Sequence, residues 1–459
     1  MARQKPEGLL FTGKQVLFIV LPLVAEQFLA FFVGMADSVM ISSVGEAAVS
    51  AVSLVDSISI LIIMLFTALA TGGSVVAGQL LGAKENERAR QVTDQLVLLV
   101  TLIGTVVTAI LFFTRTAVLS ALYGSVEPRV MDFSQRYFVI TLFSFPFIAL
   151  YNAGAAIFRA MADSRTPMLI SFLMNFINIA GNAALIFGFH FEVEGVAIPT
   201  LVSRMVGALV IFLLLFREKY PLHFSRPFRL RLQWSMVKRI LGIGIPNSVE
   251  NGMFQVGKLL VIRLIASFGT VAITANAVGN AIGVFQILPG SAIGVASVTI
   301  ISRCYGAGLA DQVRYYAKRL LGMSFLFNIL INILLGLAIP VILQMYNLSE
   351  ETGALTTWVL LFSGVVSALI WPAAFSFPNV FRATGDVKYT MVISVVSMWL
   401  FRVALSYILG GGLGLGLQGV WYGMAVDWTF RSVMFLARFK SRKWNDRLEH
   451  RFEPQAEDA

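Results

Sequence analysis

Apolar residues along the chain gather into long unbroken runs, with the polar residues collected between them. Twelve of these runs reach the roughly 20 residues that an α-helix needs to cross a hydrocarbon layer. They cover 15–40, 50–81, 95–120, 137–158, 167–190, 195–216, 237–266, 272–302, 320–345, 355–381, 389–410 and 417–437. None alternates with a period of two, so the pattern predicts helices rather than barrel strands. Pro22, Pro146, Pro246, Pro289, Pro372 and Pro378 fall inside the runs and predict bends.

The pattern occurs twice. Displaced by 224 positions, Pro22 and Glu26 of PLVAE fall on Pro246 and Glu250 of PNSVE, and Gly45 falls on Gly269. QLLGAKENERAR falls on RCYGAGLADQVR, and EGVAIP (194–199) on QGVWYG (418–423). At a displacement of 223, FRAMADSRTPM (158–168) meets FRATGDVKYTM (381–391). The chain therefore reads as two six-helix halves, 1–218 and 237–440, with a basic linker at 219–236 and a tail at 441–459. Six is even, so both halves enter from the same side as parallel repeats. Transporter folds built in this way hold their site near the midplane between the repeats.

Composition agrees with burial in lipid. Of 459 residues 57% are hydrophobic and 13% charged, against about 25% charged in a soluble domain. The opening MARQKPEGLLFTGK lacks a cleavable-signal pattern, so the first helix is expected to remain as an anchor. The net charge of +10 raises the question of nucleic acid, and its distribution decides against it. With the N-terminus in the cytoplasm, inner loops, tails and adjoining span ends hold 27 of the 35 Lys and Arg, and outer loops and span ends only Arg115, Arg129 and Arg136. That is the positive-inside pattern, with both termini cytoplasmic and anionic lipid as the partner of the basic loops. Cys304 is alone and the three His are scattered, so no metal site is expected. Without a GxSxG or GxxxxGK[ST] motif, the chain does not read as an enzyme.

Five acids fall well inside the runs: Glu26, Asp37, Asp56, Glu250 and Asp427. Ionisable groups at that depth are costly and mark functional sites by default. Glu26 and Asp37, 11 residues apart, share one face of the first helix, roughly 16 Å apart along it. Asp37 lies eight residues before Gly45 and Asp56 eleven after, so a turn there brings both to similar depth on adjacent helices. Asn175, Asn178 and Asn182 form an amide stripe on the fifth helix. Their repeat mates Met398, Phe401 and Leu405 are apolar, as is Val261, the mate of Asp37. The polar network is thus a property of the first half. In the second half Glu250, Gln255 and Lys258 are the substrate-binding candidates, with Glu250 read as a lone carboxylate attracting cationic cargo. Lys258 is expected to snorkel or to pair with Asp37 or Asp56, and Asp427 to pair with Arg431, completed by Arg402. The 37 Phe and 17 Met suit a promiscuous cavity as well as lipid contact.

FVGMADSVMISSVG in the first helix, LLGAK after the second, FRAMADSRTPM after the fourth and LIFGF closing the fifth resemble multidrug and toxic compound extrusion (MATE) transporters, of the MOP flippase superfamily. The resemblance implies a monomeric secondary antiporter of the bacterial inner membrane, exporting amphipathic or cationic compounds in exchange for H⁺ or Na⁺. It places the family's first-helix Asp on Asp37. In the archaeal and DinF-like branch the fifth helix carries an Asp where this chain has Asn182, which leaves Glu26 to supply a second acid. NorM-type members place coupling acids on the seventh and tenth helices; here Glu250 lies near the start of the seventh and the tenth has none. A lipid-linked precursor flippase of the same superfamily and a channel are the alternative readings.

Overall fold

The computed structural model describes residues 8–124, 126–225, 231–441 and 443–444. Positions 226–230 of the expected linker, and most of the expected tail at 441–459, lie outside the described residues. Every apolar run forms a helix, and no strand occurs among the described residues. The first half contains α1 (Gly13–Ser42), α2 (Glu46–Gly82), α3 (Asn86–Tyr123), α4 (Pro128–Ala160), α5 (Arg165–Ala183) and α6 (Glu194–Leu215). The second contains α7 (Trp234–Ala266), α8 (Thr270–Gly306), α9 (Ala310–Tyr346), α10 (Glu350–Leu369), α11 (Pro378–Thr384), α12 (Val387–Ser397) and α13 (Gly416–Lys440).

The helices outrun the apolar stretches where amphipathic sequence extends them: α3 begins at Asn86 and α9 at Ala310, each several residues before the apolar run. The single run 355–381 is divided instead. Pro372 and Pro378 lack the N–H needed to continue a helix, and a π-helical turn at Pro372–Ser376 separates α10 from α11. Wide π-helical turns also extend α5 (Ala184–Gly188) and α12 (Met398–Ala404, Tyr407–Gly412). Ten helices among the described residues are long and apolar enough to cross a membrane. α7 and α13 have the length but are diluted by polar side chains such as Glu250, Lys258, Asp427 and Arg431. Phe18, Phe113, Leu337 and Met345 are each more than 70% exposed. Such a display is an aggregation hazard in water and an ordinary surface in lipid.

Backbone conformation follows the repeat. Left-handed or positive φ occurs at Gly45 and Gly269, at Lys84 and Gly308, at Ala162 and Gly385, and at His190 and Gly414. Members of each pair are separated by 223 or 224 residues, so four interhelical turns recur with the same geometry. Gly45 (φ +128°) and Gly269 (φ +90°) precede the first residues of α2 and α8. Nothing lies within 4 Å of an added Cβ at either, so the backbone angle, rather than space, selects glycine there.

Packing divides the chain elsewhere than the repeat does, into a unit of Leu17–Ser248 and a unit containing the residues through Val16 with those from Val249 onward. In the first unit α4 packs on α2, α3 and α6, and α5 on α6. The start of α7 belongs here: a Cβ at Gly72 of α2 would stand 2.6 Å from the Ile240 carbonyl oxygen and 2.9 Å from the Gly244 nitrogen. Only small residues permit that backbone approach. The linker docks on the first turns of α3, where Asp94 accepts from the Ser225 amide (3.1 Å) and Gln95 from the Gln233 amide (2.7 Å). In the second unit α8 packs on α9, α10 and α11. The residues before and at the start of α1 join it, with the Leu10 amide donating to Gln312 (2.9 Å) and the Phe11 amide to the Tyr316 hydroxyl (3.0 Å).

Candidate functional site

Five helices of the first unit bring polar side chains into one cluster. Asn182 Nδ2 donates to Asp37 Oδ1 at 2.6 Å, and the Tyr137 hydroxyl donates to Asp56 Oδ1 at 3.2 Å. The Gly45 turn sets Asp37 and Asp56 on adjacent helices, within coulombic reach of each other and of Arg204 on α6. Arg204 Nη1 donates to Ser144 Oγ at 2.6 Å. Asn178 Nδ2 donates to Thr200 Oγ1 at 3.0 Å. The spacing of four residues between Asn178 and Asn182, and between Thr200 and Arg204, turns each pair toward the same side of its helix. The amide oxygens of Asn178 and Asn182 are buried and have no hydrogen-bond partner among the described residues. Nδ2 of Asn175, the third member of the stripe, is in the same condition.

Two carboxylates face one guanidinium here, with spare amide oxygens beside them. An oxygen-rich, net-negative cluster of this kind can take up a proton shared between like charges, or a small hard cation. Tyr137, Ser144, Thr200 and Arg204 were not assigned from sequence. Arg204 is an Arg inside an apolar run, with Thr200 one turn before it, and that spacing was the available signal.

Glu26 does not join the cluster. Its Oε1 accepts from Arg159 Nη2 at 2.7 Å. Arg159 belongs to FRAMADSRTPM, and the second half repeats the contact: Glu250 Oε1 accepts from Arg382 Nη2 at 2.8 Å. In both pairs the same two atoms, the glutamate Oε2 and the arginine Nε, are buried without a partner among the described residues. Glu250 is therefore not the lone carboxylate expected from the sequence. Its charge is already matched, which leaves it poorly placed to be the free counter-ion of a cationic cargo. Each pair fastens the first helix of a repeat to the end of the fourth.

The expected test is a stability measurement. Glu26→Gln and Glu250→Gln should each lose on the order of 3 kcal/mol, the cost of leaving a largely buried arginine unpaired. Thermal melting of the purified variants in detergent reads this directly. Glu250→Gln combined with Arg382→Gln should recover most of the loss, and a single variant as stable as the parent would contradict the pairing.

On α13, Asp427 Oδ1 accepts from Arg431 Nε at 2.8 Å and from Ser397 Oγ at 2.5 Å. Arg402 Nη1 stands 3.9 Å from Asp427 Oδ2, completing the expected triad. Lys258 makes no hydrogen bond or ion pair among the described residues, and it is exposed. It lines a pocket of the second unit together with Arg402, Asn276, Asn280 and Trp421. Gln255 lies three residues before it on α7, partly buried.

The MatE family model matches residues 22–184 and again 246–408, two segments displaced by the same 224 positions as the repeat. The chain is 27% identical over 440 residues to the probable multidrug resistance protein NorM of Thermotoga maritima, covering 95% of this chain and 93% of the relative. It is also 27% identical over 432 residues to an uncharacterized transporter, YisQ, of Bacillus subtilis, covering 92% and 93%. Among solved structures it is similar to an outward-facing multidrug resistance MATE family transporter of the MOP superfamily, with a TM-score of 0.88 over 98% of this chain and 99% of the other. A MATE in the bent conformation gives 0.87 over 95% and 97%. Sequence identity is 20% in both, so these two likenesses speak for the fold.

Proposed function

Because the chain belongs to the MatE family, we propose that it is a multidrug efflux transporter working as a secondary antiporter, exporting amphipathic, often cationic organic compounds in exchange for H⁺ or Na⁺ by alternating access. The multidrug resistance names of the relatives supply the multidrug reading. The cluster of Asp37, Asp56, Asn178 and Asn182 supplies the coupling reading, and it is the observation that carries the proposal. A carboxylate pair that must hold an ion to be comfortably buried can bind that ion from one side and release it to the other. In this reading Asp37 is the central acid, Asp56 its partner, Asn182 the group that orients it, and Arg204 the fixed counter-charge. Glu26 and Glu250 are latches within their repeats.

The chain is a multi-pass membrane protein of a transporter family. The reading extends to twelve spans with both termini in the cytoplasm, domains at 1–218 and 237–440, a bacterial inner-membrane location and a monomeric working unit. No resident cofactor enters the scheme; the coupling ion is a substrate. The buried acids favour cationic cargo over the phosphates that a lipid-linked flippase must hold.

Proteoliposomes loaded with a fluorescent organic cation, with pH and Na⁺ gradients imposed separately, test the proposal. Export driven by one gradient and absent without either is expected. Equal export under no gradient, or single-channel current, would overturn it in favour of a channel.

A further inference from the structure

The second repeat carries a pocket where the first carries its acid cluster, and the charge is reversed. Displaced by 224 positions, Asp37 becomes Val261 and Asp56 becomes Asn280, while Gly34 becomes Lys258. Val261, Asn280 and Lys258 all line this pocket, with Asn276, Arg402 and Trp421 beside them. Its cavity volume is about 30 Å³, and the space between its walls, counting the part open to the outside, is about 370 Å³.

The cations here outnumber their partners. Asp427 is already held by Arg431 and Ser397, at 2.8 and 2.5 Å. Arg402 reaches it only at 3.9 Å and otherwise lies over the Phe254 ring. Lys258 is in no ion pair among the described residues, and Arg402 is close enough to it to oppose its charge. Two buried donors have no hydrogen-bond partner among the described residues: Trp421 Nε1, and Arg402 Nη1, which stands 3.9 Å from the equally unpartnered Asp427 Oδ2. Trp421 is 6% exposed. Unmatched cations and unsatisfied donors at membrane depth are costly, and both deficits are met by one kind of guest, an anion with acceptor oxygens. The remaining wall, which includes Val261, Ile265 and Met424, is apolar.

We propose that this pocket is a subsite for the carboxylate of an aromatic, amphiphilic compound. Lys258, Arg402 and Trp421 Nε1 address the carboxylate, Asn276 and Asn280 flank it, and the apolar wall takes the ring system. A carboxylate is matched better than a bare halide, because the donors come from three separate helices and can be divided between two oxygens. The proposal extends the transport reading to cargo bearing an anionic group. Its test reads binding alone, so a failure here leaves gradient-driven export of cations untouched, and the reverse.

Purified full-length protein in detergent is titrated with anthracene-2-carboxylate and with the neutral anthracene-2-carboxamide, read by fluorescence anisotropy. The carboxylate should bind at least ten-fold more tightly. Lys258→Gln, at an exposed side chain, should remove that preference without lowering the melting temperature. Arg402→Gln should do the same, although its contact with Asp427 makes Lys258→Gln the safer variant. Equal binding of the two probes by the parent, or an unchanged preference in Lys258→Gln, would overturn the proposal. So would displacement of the probe by chloride at concentrations where acetate has no effect, which would identify an inorganic halide site.

Discussion

Asp37→Asn is expected to reduce gradient-driven export from proteoliposomes to the level of empty vesicles, while the protein still inserts and elutes as the parent does. The substitution keeps the size and one acceptor oxygen of the side chain, so Asn182 can still donate to it. What it removes is the charge that holds the coupling ion. The cluster then contains Asp56 against Arg204, a balanced pair with no need of a further cation. Neither a proton nor Na⁺ is recruited, and uphill transport has no driving force. A fall to background corresponds to at least a hundred-fold loss, or about 2.7 kcal/mol of coupling. Downhill exchange of cargo should survive, because nothing in the cluster other than the ion site has changed. Undiminished export would remove Asp37 from the mechanism.

Asp427→Ala should give the largest loss of stability. Asp427 is fully buried, and its carboxylate accepts from Arg431 and Ser397 with Arg402 at 3.9 Å. Arg431, itself 2% exposed, would be left with the Ser394 carbonyl oxygen at 3.0 Å and two aromatic faces. Removing one member of a buried ion pair costs about 3–5 kcal/mol because the other is stranded. The variant should melt far below the parent in detergent or fail to accumulate in membranes. Asp427→Ala with Arg431→Met, which withdraws both charges, should regain much of the loss. A single variant with parental stability would mean that the aromatic rings and Ser394 already suffice for Arg431.

The spans were legible because hydrocarbon imposes length and apolarity on every helix that crosses it, and the resulting runs need no partner to be recognised. The break at 372–378 was legible in its prolines. The ends of α3 and α9 were not, because outside the apolar layer a helix is held by its own amphipathic pattern rather than by composition. The juxtaposition of Asp37 with Asp56 followed from one hairpin at Gly45, a local feature. Glu26 with Arg159 spans 133 residues, and sequence distance hid it. Yet PxxxE and FRA recur together in both halves, and that paired recurrence was the clue left unused. An isolated cation such as Lys258 invites either an acidic partner or a snorkelling head, and the sequence around it does not choose between them. The repeat alignment shows that the acids at its level in the first half have become Val261 and Asn280.

The assignment of ion coupling to the Asp37 cluster is tested most directly by counting ions released when cargo binds. Calorimetric titration of the purified protein with an organic cation, in two buffers of different ionisation enthalpy and with and without Na⁺, reports proton and Na⁺ release. The parent should release one of these ions as cargo binds. Asp37→Asn should bind the same cargo and release neither. Equal release from parent and variant would place the coupling ion elsewhere in the molecule.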